Sequence, residues 1–150
     1  MADFGESRIQ QAYAGTDPYI FISYAHSDSM DVLSVVSRLQ EDHHRVWYDH
    51  GILPGNPWDE NVASRLRDCT CMISFVSKAY IASSNCRDEL SLARSLGKNM
   101  LLVHLDNSPM TSGMKMRYGR LFALFLHDMP EEEFYQKLYT MGNISMTKEG

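Results

Sequence analysis

Thr70-Cys71-Met72-Ile73-Ser74-Phe75-Val76-Ser77, followed by Ser83-Ser84-Asn85-Cys86-Arg87-Asp88-Glu89-Leu90-Ser91-Leu92-Ala93, sets a nearly continuous apolar run just ahead of an amphipathic helical stretch. A short run that is apolar on both alternating faces reads as a central strand of a parallel sheet, and the helix after it as the crossover to the next strand. Ser84 or Asn85 can cap that helix, and Asp88, three residues after Asn85, completes something like a capping box. Glu89 lies further in, on the face of Asn85 and Cys86 at spacings of four and three. Capping does not account for it, so Glu89 stands out as a candidate site residue.

The same pattern extends in both directions. Residues 1–17 are polar and weakly periodic and read as an N-terminal tail or short helix ending at a Gly-Thr-Asp-Pro turn. The first strand is Tyr19 to Tyr24, and the helix from about Ser29 to Glu41 carries a stripe of Met30, Leu33, Val36, Leu39 and Gln40. A polar stop, Asp42-His43-His44, leads to a second strand, Arg45 to Asp49, and then to a loop with two Gly and two Pro between His50 and Pro57. Asn56 caps the next helix, with Pro57 at its first position and Trp58, Val62 and Leu66 on one face. After the central strand, its helix runs to about Leu96 and stops at Gly97. Met100 to Leu105 forms the fourth strand, residues 106–120 a long loop, and Leu121 to His127 the fifth strand. The last helix opens at Pro130 with Glu131, Glu132 and Glu133, a start matched to the helix dipole, and turns Phe134, Leu138 and Met141 inward. Residues 143–150 read as a C-terminal tail. The expected fold is a five-stranded doubly wound α/β domain spanning residues 18–142, with helices on both faces.

Composition limits the function classes. The chain has 150 residues, 44% hydrophobic and 22% charged, with a formal net charge of −5. That is the length and composition of one globular domain. The acidic balance argues against a nucleic-acid surface. Apolar runs such as Leu121 to Leu126 are too short to cross a bilayer, and no signal segment opens the chain, so a cytoplasmic protein without a membrane partner is expected. Three cysteines, Cys69, Cys71 and Cys86, fit that compartment and read chiefly as small buried residues. His43, His44, His50, His104 and His127 show neither metal spacing nor a nucleophile partner, and no metal is expected.

Ligands of doubly wound sheets bind at the carboxyl ends of the strands. Those ends carry Ser23-Tyr24-Ala25-His26-Ser27-Asp28, Asp49 to Trp58, and Ser77 to Glu89. The first loop suits a polar ligand with an aromatic ring and has neither a Gly-rich dinucleotide turn nor a Gly-Lys-Ser phosphate loop. Asp28 reads equally as a helix cap, and the Pro/Gly loop equally as a contact surface or a plain connector.

Taken together, Phe21 to Asp28, Val46-Trp47-Tyr48-Asp49 through Pro54-Gly55, Phe75-Val76-Ser77 and Ser84 to Glu89 resemble the Toll/interleukin-1 receptor (TIR) domain family, in the style of its bacterial, NAD-cleaving members. The resemblance covers roughly Tyr19 to Met141 and implies a flavodoxin-like parallel sheet. It implies an NAD+ nucleosidase or ADP-ribosyl cyclase-like hydrolase that releases nicotinamide, with Glu89 as the catalytic glutamate and NAD as substrate rather than cofactor. Ser23, Tyr24, Ala25, His26, Trp47, Asp49, Trp58, Ser84, Asn85 and Cys86 would line the substrate. The BB loop, with Ile52, Leu53, Pro54 and Gly55, would pack on a neighbouring copy. A separate sensor or effector protein and a role in antiviral nucleotide signalling follow from the same resemblance. Many enzymatic members carry Trp where this chain has Asn85, leaving Trp58 or Tyr24 to stack. A non-catalytic TIR–TIR adaptor is the alternative.

Overall fold

Five short strands account for the sheet: β1 (Ile20–Ser23), β2 (Val46–Tyr48), β3 (Cys71–Val76), β4 (Asn99–His104) and β5 (Phe122–Phe125). In this computed structural model, which describes residues 12–49 and 58–149 with side chains left out at 58–60, all pairings are parallel. The strand order is β2-β1-β3-β4-β5. The order reverses direction at β1 and β3, and that is where the fold opens a crevice at the carboxyl ends of the strands. Every residue of β1, β2 and β3 is buried, which explains why they read as unbroken apolar runs.

Among the described residues six α-helices cover the faces: α1 (Ser29–Glu41), α2 (Trp58–Asp68), α3 (Lys78–Ala82), α4 (Ser84–Ser95), α5 (Ser112–Tyr118) and α6 (Glu131–Met141). One core layer joins Ile20, Ile22, Ile73, Phe75 and Leu101 to Val32, Val35, Val36 and Leu39 of α1 and Phe134, Tyr135 and Leu138 of α6. The other joins Phe21, Trp47, Met72 and Leu102 to Val62 and Leu66 of α2, Tyr80 of α3, Cys86, Leu90 and Ala93 of α4, and Met114 and Tyr118 of α5. The alternation of strand side chains thus divides the interior into two apolar layers.

The structure revises several expected details. The stripe of α1 is rotated: Val32, Val35, Val36, Leu39 and Gln40 are buried, whereas Met30 is 89% exposed. Valines at 32, 35 and 36 offer an apolar arc that matches the sheet better than one begun at Met30. Met141 is likewise 60% exposed, and Tyr135 takes the inward place. The cap of α4 is Ser83, whose Oγ accepts from the Cys86 amide at 3.2 Å, rather than Ser84 or Asn85, so Asp88 lies beyond the first turn and completes no capping box. One extra helix, α3, precedes it, and α5 interrupts the expected long loop, capped by Thr111.

Gly97 does end α4 as expected. It adopts φ +70, and the amides of Gly97 and Lys98 return to the carbonyls of Arg94 and Ala93, a Schellman closure. Residues beyond Gly142, expected as a tail, lie against the domain: Ile144 and Thr147 are buried, and Lys148 forms a β-bridge with His44. No helix among the described residues is long and apolar enough to cross a membrane.

Candidate active site

Glu89 sits in the second turn of α4, which begins directly after α3 and the end of β3. That short path brings its side chain back over the end of β1. Ser23, the last residue of β1, donates its hydroxyl to Glu89 Oε1 at 2.6 Å. Behind Ser23 stands Tyr80 of α3, whose hydroxyl lies 2.7 Å from Ser23 Oγ and 3.4 Å from the Cys86 carbonyl oxygen. Tyr80 is completely buried and its pKa is pushed well above the ordinary tyrosine value by burial.

Burial pushes the Glu89 carboxyl up to about 7. The Ser23 hydrogen bond works against that shift, while the carboxylates of Asp49 and Asp88 add to it. Two effects raise the value, desolvation and like charge, and one lowers it, a donor to the charged form. A carboxyl balanced near neutrality at a strand end is the profile of a reacting group.

The flanking wall comes from the loops after β1 and β2. The Tyr24 hydroxyl donates to the Asp49 carbonyl at 2.7 Å, and burial pushes its pKa up to about 12. His26 Nε2 lies 3.4 Å from Asp49 Oδ2, and the Tyr24 and His26 rings sit 5.2 Å apart. On the other side, Ser77 donates to Asp28 Oδ2 at 2.5 Å while its Oγ accepts the Tyr80 amide as the cap of α3. Asp28 is thus tied down by a side chain 49 residues away and makes no side-chain cap bond to α1, so it serves here as a brace between β3 and the first loop rather than as the expected cap.

The structure brings together Ser23, Tyr24, His26, Asp49 and Glu89 from the residues expected at the site. Ala25 stands beside them at the start of a 3-10 turn, its carbonyl accepting the Asp28 amide. Four other expected residues are placed differently. Trp47 is stacked on Phe21 in the core, with ring centroids 5.1 Å apart, because β2 turns position 47 to the α2 face. Cys86 is also buried, and burial pushes its thiol up to about 11. Ser84 and Asn85 are exposed on the first turn of α4. Trp58 opens α2, but its side chain and the loop residues Ile52, Leu53, Pro54 and Gly55 lie outside the described residues. Among the described residues, no cluster of three or more His, Cys, Asp or Glu is arranged to hold a metal.

Tyr80 is the residue that sequence reasoning missed. The available signal was its place three residues after Ser77, at the end of a strand, where the strand-terminal serine caps a turn.

The TIR domain family model matches residues 20–139. No curated protein matches the chain in sequence. Among solved structures, the fold is similar to the TIR domain of the Toll-related receptor TRR-2 from Hydra magnipapillata, with a TM-score of 0.69 at 15% identity over 82% of this chain and 96% of that one. It is also similar to the Clostridium botulinum CMP N-glycosidase BcmB, with a TM-score of 0.59 at 15% identity over 82% of this chain and 98% of that one. With a family model covering four-fifths of its length and the strand order to match, the chain belongs to the TIR domain family.

Proposed function

We propose that this TIR domain cleaves the bond between nicotinamide and ribose in NAD, with Glu89 as the reacting carboxylate. The observation that carries the reading is the placement of Glu89: partly buried at the switch point of the sheet, hydrogen-bonded by Ser23 and raised to about 7. Departure of nicotinamide leaves positive charge on the ribosyl centre. A fixed carboxylate in a partly desolvated site stabilises that charge more than it would in water. The nicotinamide ring of NAD is cationic and leaves as a neutral base, so the departure needs no proton from the enzyme; the ionised form of Glu89 is the active one. Capture by water yields ADP-ribose, and capture by the ligand's own adenine or ribose yields a cyclic product.

Tyr24 and His26 border the ligand in this reading, and Asp49 orients His26. At the level of fold, the similarity to a CMP N-glycosidase supports the chemistry, since that protein is named for breaking an N-glycosidic bond. Self-association through the BB loop, a separate sensor or effector, a bacterial setting and antiviral nucleotide signalling in the cytoplasm belong to the same proposal.

The second reading, a non-catalytic TIR–TIR contact module, is favoured by one observation. Trp47 is committed to the core and position 85 presents an exposed Asn, so neither supplies an aromatic wall. Incubating concentrated protein with NAD and quantifying products by mass spectrometry separates the two. Release of nicotinamide that disappears in Glu89→Ala supports the enzyme. No release at any protein concentration, with or without an agent that promotes assembly, overturns it in favour of the contact module.

A further inference from the structure

The groups behind Glu89 form a row: Cys86 carbonyl, Tyr80 hydroxyl, Ser23 hydroxyl, Glu89 carboxyl, spaced at 3.4, 2.7 and 2.6 Å, with the buried Ser74 hydroxyl beside Tyr80. Each hydroxyl has one proton to give and lone pairs to receive. When Glu89 is ionised it only accepts, so Ser23 donates to it and Tyr80 donates to Ser23. When Glu89 is protonated the order can run the other way. The carboxyl donates to Ser23 Oγ, Ser23 to Tyr80, and Tyr80 to the Cys86 carbonyl. In both directions the protons carried by Ser23, Tyr80 and Glu89 each have an acceptor, and no heavy atom needs to move. A buried polar row satisfied in two states avoids the penalty of an orphaned donor in either.

We infer that Ser23 and Tyr80 form a reversible hydroxyl relay that holds the Glu89 carboxyl in one orientation in both of its protonation states. They are positioning residues: Tyr80 acts on Glu89 only through Ser23. The relay turns without conducting charge, since burial keeps Tyr80 protonated far above neutral pH. Its geometry stands without any assumed reaction; its relevance to catalysis rests on the reading of Glu89 as the reacting group. The described charged and titratable groups facing the carboxyl are Asp49 after β2, Asp88 and Cys86 on α4, Tyr24 after β1 and Tyr80 on α3. His26 faces Asp49. None of these groups lies within the row except Tyr80.

The test is a carbon-13 carboxyl titration of Glu89 by NMR in the full chain, assigned by loss of the signal in Glu89→Gln. Ser23→Ala removes the donor to the charged form and should move the titration upward by about one unit, whereas Ser23→Thr should keep the wild-type value. Tyr80→Phe should shift the midpoint measurably, and that shift should vanish in the Ser23→Ala background, because a residue acting through another has no effect once the intermediary is gone. An unmoved Glu89 in Tyr80→Phe, or an equal shift in both backgrounds, overturns the relay. If Ser23→Ala does not fold, Ser23→Cys supplies a weak donor for the same cycle. The titration reads the relay without any turnover. Coupled shifts without nicotinamide release would leave the relay standing and remove the NAD reading. Nicotinamide release with uncoupled shifts would do the reverse.

Discussion

Ser23 and Glu89, 66 positions apart in the chain, meet at 2.6 Å, with the serine hydroxyl donating to the carboxyl of the glutamate. A strand terminus thereby supports an acidic side chain whose place in α4 no capping role explains. The contact exists because β1 and β3 are neighbours, paired in register from Ile20↔Cys71 to Ser23↔Ser74. The chain leaving β3 therefore returns across the end of β1.

Under the proposed NAD cleavage, the raised pKa of Glu89 sets a pH dependence. With the ionised carboxylate as the active form in that proposal, kcat/KM should fall as pH drops through about 7, by close to tenfold per unit on the acid side. A pH–rate profile between 5 and 9 checks this. A limb centred near 4.5, the ordinary glutamate value, would show that burial does not tune this group.

The same shift makes Glu89 a burden on stability at alkaline pH. The folded chain binds the proton more tightly, at about 7, than the unfolded chain, near 4.5. The stabilising contribution is therefore complete below 4.5 and is lost as pH rises through about 7. Glu89→Gln should thus be more stable than wild type at pH 8, by on the order of 3 kcal/mol at most, with the gap closing toward pH 4.5. Thermal melts of both proteins at the two pH values measure it. In the same variant, nicotinamide release should fall by at least about a hundredfold.

His44 predicts acid sensitivity of the opposite sign. Burial holds its imidazole down to about 4, with Lys148 and Arg45 adding to the effect and Asp42 opposing it. Its Nδ1 lies 2.9 Å from Thr147 Oγ1, and its ring stacks on Tyr139. The folded chain takes up this proton less readily than the unfolded one, near 6.5. The stability is present above 6.5 and is lost as pH falls toward about 4. Hydrogen exchange at the amides of 144–149 should accelerate between pH 6.5 and 4.5, after correction for intrinsic rates. In His44→Asn this acid-dependent increase should be absent.

Trp47 should behave as a core residue. Trp47→Leu removes the stack on Phe21 and should cost about 1–3 kcal/mol, less than truncation to alanine, without changing the KM for NAD. Chemical denaturation alongside steady-state kinetics separates this outcome from a role in the pocket wall, for which KM would rise while stability held.

Much of the fold was legible locally. The apolar runs at 71–76 and 100–104 mark strands because a doubly covered parallel sheet buries both of their faces, and Gly97 marks a helix end because its φ of +70 suits glycine. Glu89 was legible as an acidic residue without a capping role. Less legible was the rotation of α1, since Val32 and Leu33 differ by only one helical step and both Met30 and Val36 fit an apolar stripe. The shift of the α4 cap from Ser84 or Asn85 to Ser83 has a similar origin: Ser83, Ser84 and Asn85 are all good caps, and only the entry path from α3 selects one.

The sequence by itself determined the succession of the five strands, four of the six α-helices among the described residues and the TIR motifs, and it singled out Glu89, because apolar periodicity, caps and breakers act over a few residues. Only the tertiary structure decided that Trp47 belongs to the core and that Tyr80 belongs behind the site. It also decided that Ser23, Tyr80 and Glu89 share one row of hydrogen bonds. Those outcomes depend on which strands lie side by side and which face each side chain meets. Both are set by packing between segments 57 and 66 residues apart, a separation that no local pattern records.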